Sequence, residues 1–207
     1  SHFMTLLLTV GFMTVATRRL QTILERRSTL DPLTQVLNRR GFTEVYAKEH
    51  ALMRREQTVM TMLSIDLDYF KAINDCYGHS IGDRVLTDVA SVIAKALRAS
   101  DHVARFGGEE FIVLLPATGL ERAHHVAERI QTVLRAPRSE TESEQSAAAA
   151  ALPPYTVSIG IACQVSPDEE LDHILLRADR ALYCAKERGR DRIEIAAEAV
   201  LPLHASA

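Results

Sequence analysis

The sequence predicts an α+β fold with a ferredoxin-like βαββαβ core, extra helices and an N-terminal stalk helix. Three observations carry this prediction. Apolar residues switch repeatedly between a spacing near 3.6 and a spacing near 2, the marks of helix and strand. The switches follow the order strand, helix, strand, strand, helix, strand, which is the split βαβ arrangement. The two middle strands, HVARF and EFIVLL, are separated only by Gly107, Gly108 and Glu109. Such spacing signals a tight hairpin, because glycine supplies the positive φ that the turn needs.

Taken in order, residues 1–28 read as a hydrophobic stalk helix, 29–196 as one folded domain and 197–207 as a C-terminal tail. Residues 1–16, SHFMTLLLTVGFMTVA, contain no Asp, Glu, Lys or Arg and are followed by Arg18-Arg19 and Arg26-Arg27. The run falls short of the roughly 20 apolar residues that span a bilayer. Two readings fit it. One is the end of a truncated transmembrane helix with arginines on its cytoplasmic side, which the flank favours; the other is an amphipathic or dimerising helix behind a Ser1-His2 cloning remnant. A helical stripe through Leu20, Ile23, Leu24 and Leu30 stops at Asp31-Pro32, because proline disfavours helix in the residue before it. Residues 39–57 read as helix, TVMTMLSID (58–66) as a buried strand and 80–99 as a long amphipathic helix. After the hairpin, 119–135 is helical, 137–154 is a compositionally biased surface loop, YTVSIGIA is a strand, 168–188 a helix and DRIEIA the last strand.

The 207 residues, 47% hydrophobic and 25% charged, suit one substantial core. A net charge of -3 argues against a nucleic-acid polymer as partner, since such binding rests on phosphate neutralisation; a local pocket for a single nucleotide is compatible with it. Cys76, Cys163 and Cys184 form no CxxC pair and read as reduced thiols. His124 and His125, adjacent on a helix, diverge and read as surface residues and not as a metal pair.

The chemistry concentrates where charge is hardest to place. With the first core strand central and antiparallel to the third, the end of TVMTMLSID lies beside the start of EFIVLL, bringing Asp66 near Glu109 and Glu110. Three converging carboxylates repel unless a cation joins them, and oxygen ligands select hard ions such as Mg²⁺ or Mn²⁺. Mg²⁺ usually shares its shell with substrate phosphates, which makes a nucleoside triphosphate a natural partner, and two such ions could serve attack and leaving group together. The alternative is a solvated acidic hairpin with Asp66 as a cap. The stretch Asp66 to Asp83 weighs toward a nucleotide: Lys71 can meet a phosphate, and Asn74 with Asp83 offers the donors and acceptors that a guanine edge requires.

These residues resemble the GGDEF-domain diguanylate cyclases, a nucleotidyl cyclase or palm-like family, with the GGEEF variant at 107–111. Asp31-Pro32-Leu33-Thr34 with Asn38-Arg39-Arg40 resembles the family's opening signature. Thr156-Val157-Ser158-Ile159-Gly160, Ala178-Asp179, Lys186 and Arg190 resemble its C-terminal motifs. Gln35 departs from the family, which often has glycine there. The resemblance implies condensation of two GTP into cyclic di-GMP and two pyrophosphates across a homodimer, with two Mg²⁺ or Mn²⁺ per active site. It implies that Asp66, the Leu67 carbonyl, Glu109 and Glu110 are metal ligands, and that Glu109, Glu110 and Lys71 are catalytic, the division between the two glutamates left open. It assigns Asn74 and Asp83 to guanine, Lys71, Lys186 and Arg190 to phosphates, Gly107 and Gly108 to close backbone approach, and His79 to shaping the base pocket. Arg98, Asp101 and Arg129 resemble the family's RxxD site for inhibition by the cyclic di-GMP product, and an arginine suits the Hoogsteen edge of guanine. Arg105 and Phe106 read mainly as the strand that delivers the turn. The place implied is the cytoplasmic domain of an inner-membrane-anchored parent protein. The alternative function is a catalytically silent receptor that only binds cyclic di-GMP or GTP.

Overall fold

The computed structural model describes residues 28–136 and 152–197. The stalk, most of the biased loop and the end of the tail lie outside them, so the two readings of residues 1–16 do too. Among the described residues, no helix is long and apolar enough to cross a membrane.

Among the described residues, eleven elements follow one another: β1 (Leu37–Asn38), α1 (Arg39–Glu56), β2 (Thr61–Leu67), α2 (Phe70–Tyr77), α3 (His79–Ala96), β3 (His102–Gly107), β4 (Glu110–Leu115), α4 (Leu120–Arg135), β5 (Val157–Cys163), α5 (Leu171–Glu187) and β6 (Ile193–Ile195). The six strands form one sheet in the order β1-β3-β4-β2-β5-β6. The central β2 is antiparallel to both β4 and β5, as the sequence predicts for the first and third core strands. β1 joins β3 in parallel at one edge and β6 joins β5 in parallel at the other.

Every residue of β2 is buried, because helices cover both faces of the sheet, and a strand covered on both sides reads as one apolar run. The side chains still alternate. Leu63, Ile65 and Leu67 join Val85, Val89 and Ile93 of α3 and Ala123, Ala127 and Ile130 of α4 in one core. Met62 faces the other way, into a core with Phe42, Tyr46 and Met53 of α1 and Ile174, Leu175 and Ala178 of α5. Full burial of a leucine or isoleucine side chain contributes about 1.5–3 kcal/mol, so the two cores fix the register of β2. That register delivers Asp66, of the same parity as Met62, to the α5 side at the end of the strand.

Two elements are absent from the sequence reading. β1 has two residues, too few for periodicity, and α2 has eight, drawn from a stretch dense in polar groups. Other boundaries shift by a few residues; the helix expected over 80–99 runs His79–Ala96 and closes on Leu97.

Candidate active site

The β3–β4 hairpin is built around its glycines. Gly107 pairs with Glu110 after a register shift that follows Arg105, leaving Gly108 and Glu109 at the tip. Gly108 has φ 47°, in the left-handed region that glycine enters without steric cost. Arg105 holds the tip in place: its Nε and Nη2 donate to the Gly108 carbonyl at 3.0 and 2.8 Å, and its Nη1 reaches Asp31 Oδ1 at 3.1 Å. That Asp31 oxygen also accepts from the Thr34 amide at 2.9 Å and the Thr34 hydroxyl at 2.7 Å. Burial pushes the Asp31 carboxyl up, but the Thr34 hydrogen bonds and the Arg105 charge outweigh it and hold the carboxyl below its ordinary value. Arg105 therefore does more than deliver the turn. The clue in the sequence is a cation inside an apolar strand, which needs a partner when half-buried.

Asp66 stands opposite Glu110 in the β2–β4 ladder. It is 4% exposed, and Lys186 Nζ lies 2.8 Å from its Oδ1. Burial pushes the Asp66 carboxyl up to about 6 against the pull of Lys186, and the negative charges of Glu109 and Glu110 add to the rise. Glu109 is half-buried and Glu110 exposed, while Leu67 is buried at the end of β2. Lys186, expected at a phosphate, thus meets the acidic cluster itself. α5 reaches it through Gly160, where a Cβ would lie 2.1 Å from the Ala178 carbonyl oxygen and 2.3 Å from the Leu182 nitrogen. With the α5 backbone resting on β5 at this point, Asp179 accepts a hydrogen bond of 2.6 Å from the buried Ser64 hydroxyl, two residues before Asp66.

Among the described residues, no group of three or more His, Cys, Asp or Glu is arranged as a ready-made metal cluster. The donors nevertheless fit a hard cation: they are all oxygen, and the repulsion that Glu109 and Glu110 exert on Asp66 is what positive charge relieves. A site with one or two protein carboxylates suits an ion that brings the rest of its shell with a triphosphate.

On α2, Lys71 is exposed and Asn74 half-buried; the Asn74 Oδ1 packs so closely on Gly82 of α3 that a Cβ there would lie 1.9 Å from it. Asp83, the next residue, is exposed and lines an open cavity of about 770 Å³ with Ser80, Arg84 and Thr87. His79, the first residue of α3, is exposed. The Arg190 guanidinium sits 4.7 Å above the Tyr69 ring. Gly107 and Gly108 have open space around the positions a Cβ would take.

The second predicted set also comes together, at the end of α3. Arg98 bonds to Asp101 through its amide at 2.9 Å and its side chain at 3.3 and 3.4 Å, and to the Thr118 hydroxyl at 2.9 Å. Arg129 of α4 donates to the Ala96 carbonyl. Gln35 takes φ 59°, in the left-handed region that glycine enters more readily than a residue with a side chain. His124 and His125 both lie against Glu128 on the outside of α4, and the three cysteines are free.

Residues 28–192 match the family described as diguanylate cyclase, GGDEF domain. The chain is 39% identical over 171 residues to the diguanylate cyclase DgcP of Pseudomonas aeruginosa, covering 83% of this chain and 24% of that protein. It is 40% identical over 179 residues to the diguanylate cyclase DgcM of Escherichia coli, covering 85% and 40%. The chain thus spans between about a quarter and two-fifths of the length of these relatives. Among solved structures, the GGDEF domain of DgcB from Caulobacter crescentus in complex with c-di-GMP superposes with a TM-score of 0.73 at 32% identity, over 82% of this chain and 96% of that one.

Proposed function

The chain belongs to the GGDEF-domain diguanylate cyclase family, and from that premise we propose that it condenses two molecules of GTP into cyclic di-GMP with release of two pyrophosphates. The observation that carries this reading is Asp66 standing in register with Glu110 beside a glycine-built hairpin tip. A receptor that only bound product would have no use for that costly acidic pairing.

In each of the two condensations a GTP 3′ oxygen attacks the α-phosphorus of the other GTP. A P–O bond forms there while the bond to pyrophosphate breaks, and the hydroxyl proton passes to a carboxylate. Asp66, Glu110 and the Leu67 carbonyl would hold Mg²⁺ or Mn²⁺, two per site, with Glu109 adjoining; bound metal supplies charge neutralisation at the phosphates and lowers the pKa of the attacking hydroxyl. In this reading Glu109, at the tip, takes the proton and Glu110 holds the ion, a division that the register of Glu110 with Asp66 supports. Lys71, Lys186 and Arg190 offer cations to the triphosphate, Asn74 and Asp83 read the guanine, and His79 lines its approach. Each domain presents one nucleotide, so the working unit is a homodimer. Arg98, Asp101 and Arg129 form a site at which product inhibits. The domain works in the cytoplasm, where GTP is available, and the arginine-flanked apolar residues 3–16 support membrane attachment of the parent protein.

Incubation with GTP and Mg²⁺, with products identified by mass spectrometry, should yield cyclic di-GMP. Glu110→Ala should cut the rate by at least about a hundredfold, as expected for loss of electrostatic stabilisation. Bound GTP with no product at high protein concentration would overturn the reading.

A further inference from the structure

Asp68, two residues beyond Asp66, is the second carboxylate of an Asp-x-Asp run, and by charge alone either could serve a cation. The structure commits Asp68 differently. It is 3% exposed, just past the end of β2. One carboxylate oxygen accepts from the Ser158 hydroxyl at 2.7 Å, and the other from the Thr156 hydroxyl at 2.7 Å and the Asp191 amide at 3.0 Å. Its own amide donates to the Thr156 carbonyl at 2.9 Å, extending the β2–β5 ladder by one rung.

The Asp191 bond crosses to the turn between α5 and β6, which has an unusual backbone. Gly189, Arg190 and Asp191 take φ values of 114°, 62° and 47° in succession. Two non-glycine residues in the left-handed region need outside support to stay there. Asp68 supplies it from within. Arg135 supplies it from the surface, with Nε 2.8 and 3.0 Å from the two Asp191 carboxylate oxygens and Nη2 2.6 Å from the Asp191 carbonyl. Between these supports the Arg190 guanidinium lies over the ring of Tyr69, the residue joined directly to Asp68. The backbone of Asp68 therefore sets the aromatic platform, and its carboxylate sets the turn that places the cation on it.

We propose that Asp68 is a positioning residue which, with Arg135, clamps the Gly189–Asp191 turn so that Arg190 is presented to the GTP triphosphate. The inference rests on the reading of Arg190 as a phosphate contact. Arg190 meets phosphate before and during the reaction, so a loosened clamp weakens ground state and transition state alike and raises KM more than it lowers kcat.

The test measures KM and kcat for GTP with Mg²⁺, GTP affinity by calorimetry and thermal unfolding, on the whole chain. Asp68→Ala and Arg135→Ala should each raise KM about tenfold with kcat held within about twofold, the signature of lost uniform binding. Asp68→Asn should stay within about twofold of wild type: its oxygen keeps both bonds on one side while its amide donates to Ser158, whose hydroxyl can accept. In an Arg190→Ala background, Asp68→Ala should add nothing further. Unchanged KM in either alanine variant, or an undiminished KM increase without Arg190, overturns the proposal. If Asp68→Ala fails to fold, the surface variant Arg135→Ala decides. Wild-type protein that binds GTP without turning it over sinks the catalytic reading alone, and the affinities then judge the clamp; protein that binds no GTP sinks both.

Discussion

Arg105 is one guanidinium with two obligations: it closes the tip of the β3–β4 hairpin through the Gly108 carbonyl and ties that hairpin to Asp31, 74 residues earlier in the chain. The Asp31 carboxyl is lowered in the folded protein from 3.8, because its hydrogen bonds with Thr34 and Arg105 outweigh its burial. A lowered carboxyl stabilises the fold above the unfolded value, and that contribution is lost as the pH falls through the folded value. Asp31→Asn should therefore cost about 1–3 kcal/mol near neutral pH, by leaving Arg105 without its charged partner. The gap in thermal midpoint from wild type should narrow progressively as the pH falls below the ordinary value of 3.8; a gap that persists undiminished in acid would mean that the charge at Asp31 is not what matters. At this scale the sequence is legible where chemistry is local. Gly107 and Gly108 declare a tight turn by residue type and spacing, and the predicted strand arrangement is enough to set Asp66 beside Glu110. The Lys186–Asp66 and Arg105–Asp31 pairs are not legible in this way, because each joins segments that only the finished sheet brings side by side.

Among the elements, α5 has the most consequential placement. Its backbone lies on β5 because Gly160 has no side chain, and this contact carries Lys186 to Asp66 and Asp179 to Ser64. Gly160→Ala forces a methyl into the backbone of α5. Overpacking of this kind costs about 1–3 kcal/mol or more, so the variant should unfold at lower temperature and lose cyclase activity even below its midpoint, as Lys186 is displaced. Wild-type stability with full activity would refute the docking argument. The long elements are legible because each has enough residues to show a period: α1, α3, α4 and α5 cover 16 to 18 residues apiece. α2 is not, since eight residues are too few to sustain a stripe and the left-handed Tyr69 before them offers no side-chain cap. Its helical form matters, because it sets Lys71 and Asn74 one turn apart on the same face.

Taken whole, the molecule presents its acidic pair, its hairpin tip and the turn bearing Arg190 around the Asp66 end of β2, while Arg98, Asp101 and Arg129, the proposed product site, gather where α3 ends. If two copies each contribute one GTP, specific activity should rise with protein concentration; well below the dissociation constant, a tenfold dilution should cut the rate by about a hundredfold. A rate strictly proportional to protein over that range would mean that one copy suffices. The strand order is legible from the predicted sequence of elements, and DRIEIA reads as the last strand, but the two-residue edge strand β1 is not legible. Those edges have a consequence of their own. Among the described residues the sheet finishes on strands of two and three residues, and such stubs offer few unpaired amides and carbonyls for another chain to zip onto. If turnover brings two copies together, stubs of this kind would let them meet and part again without fusing their sheets.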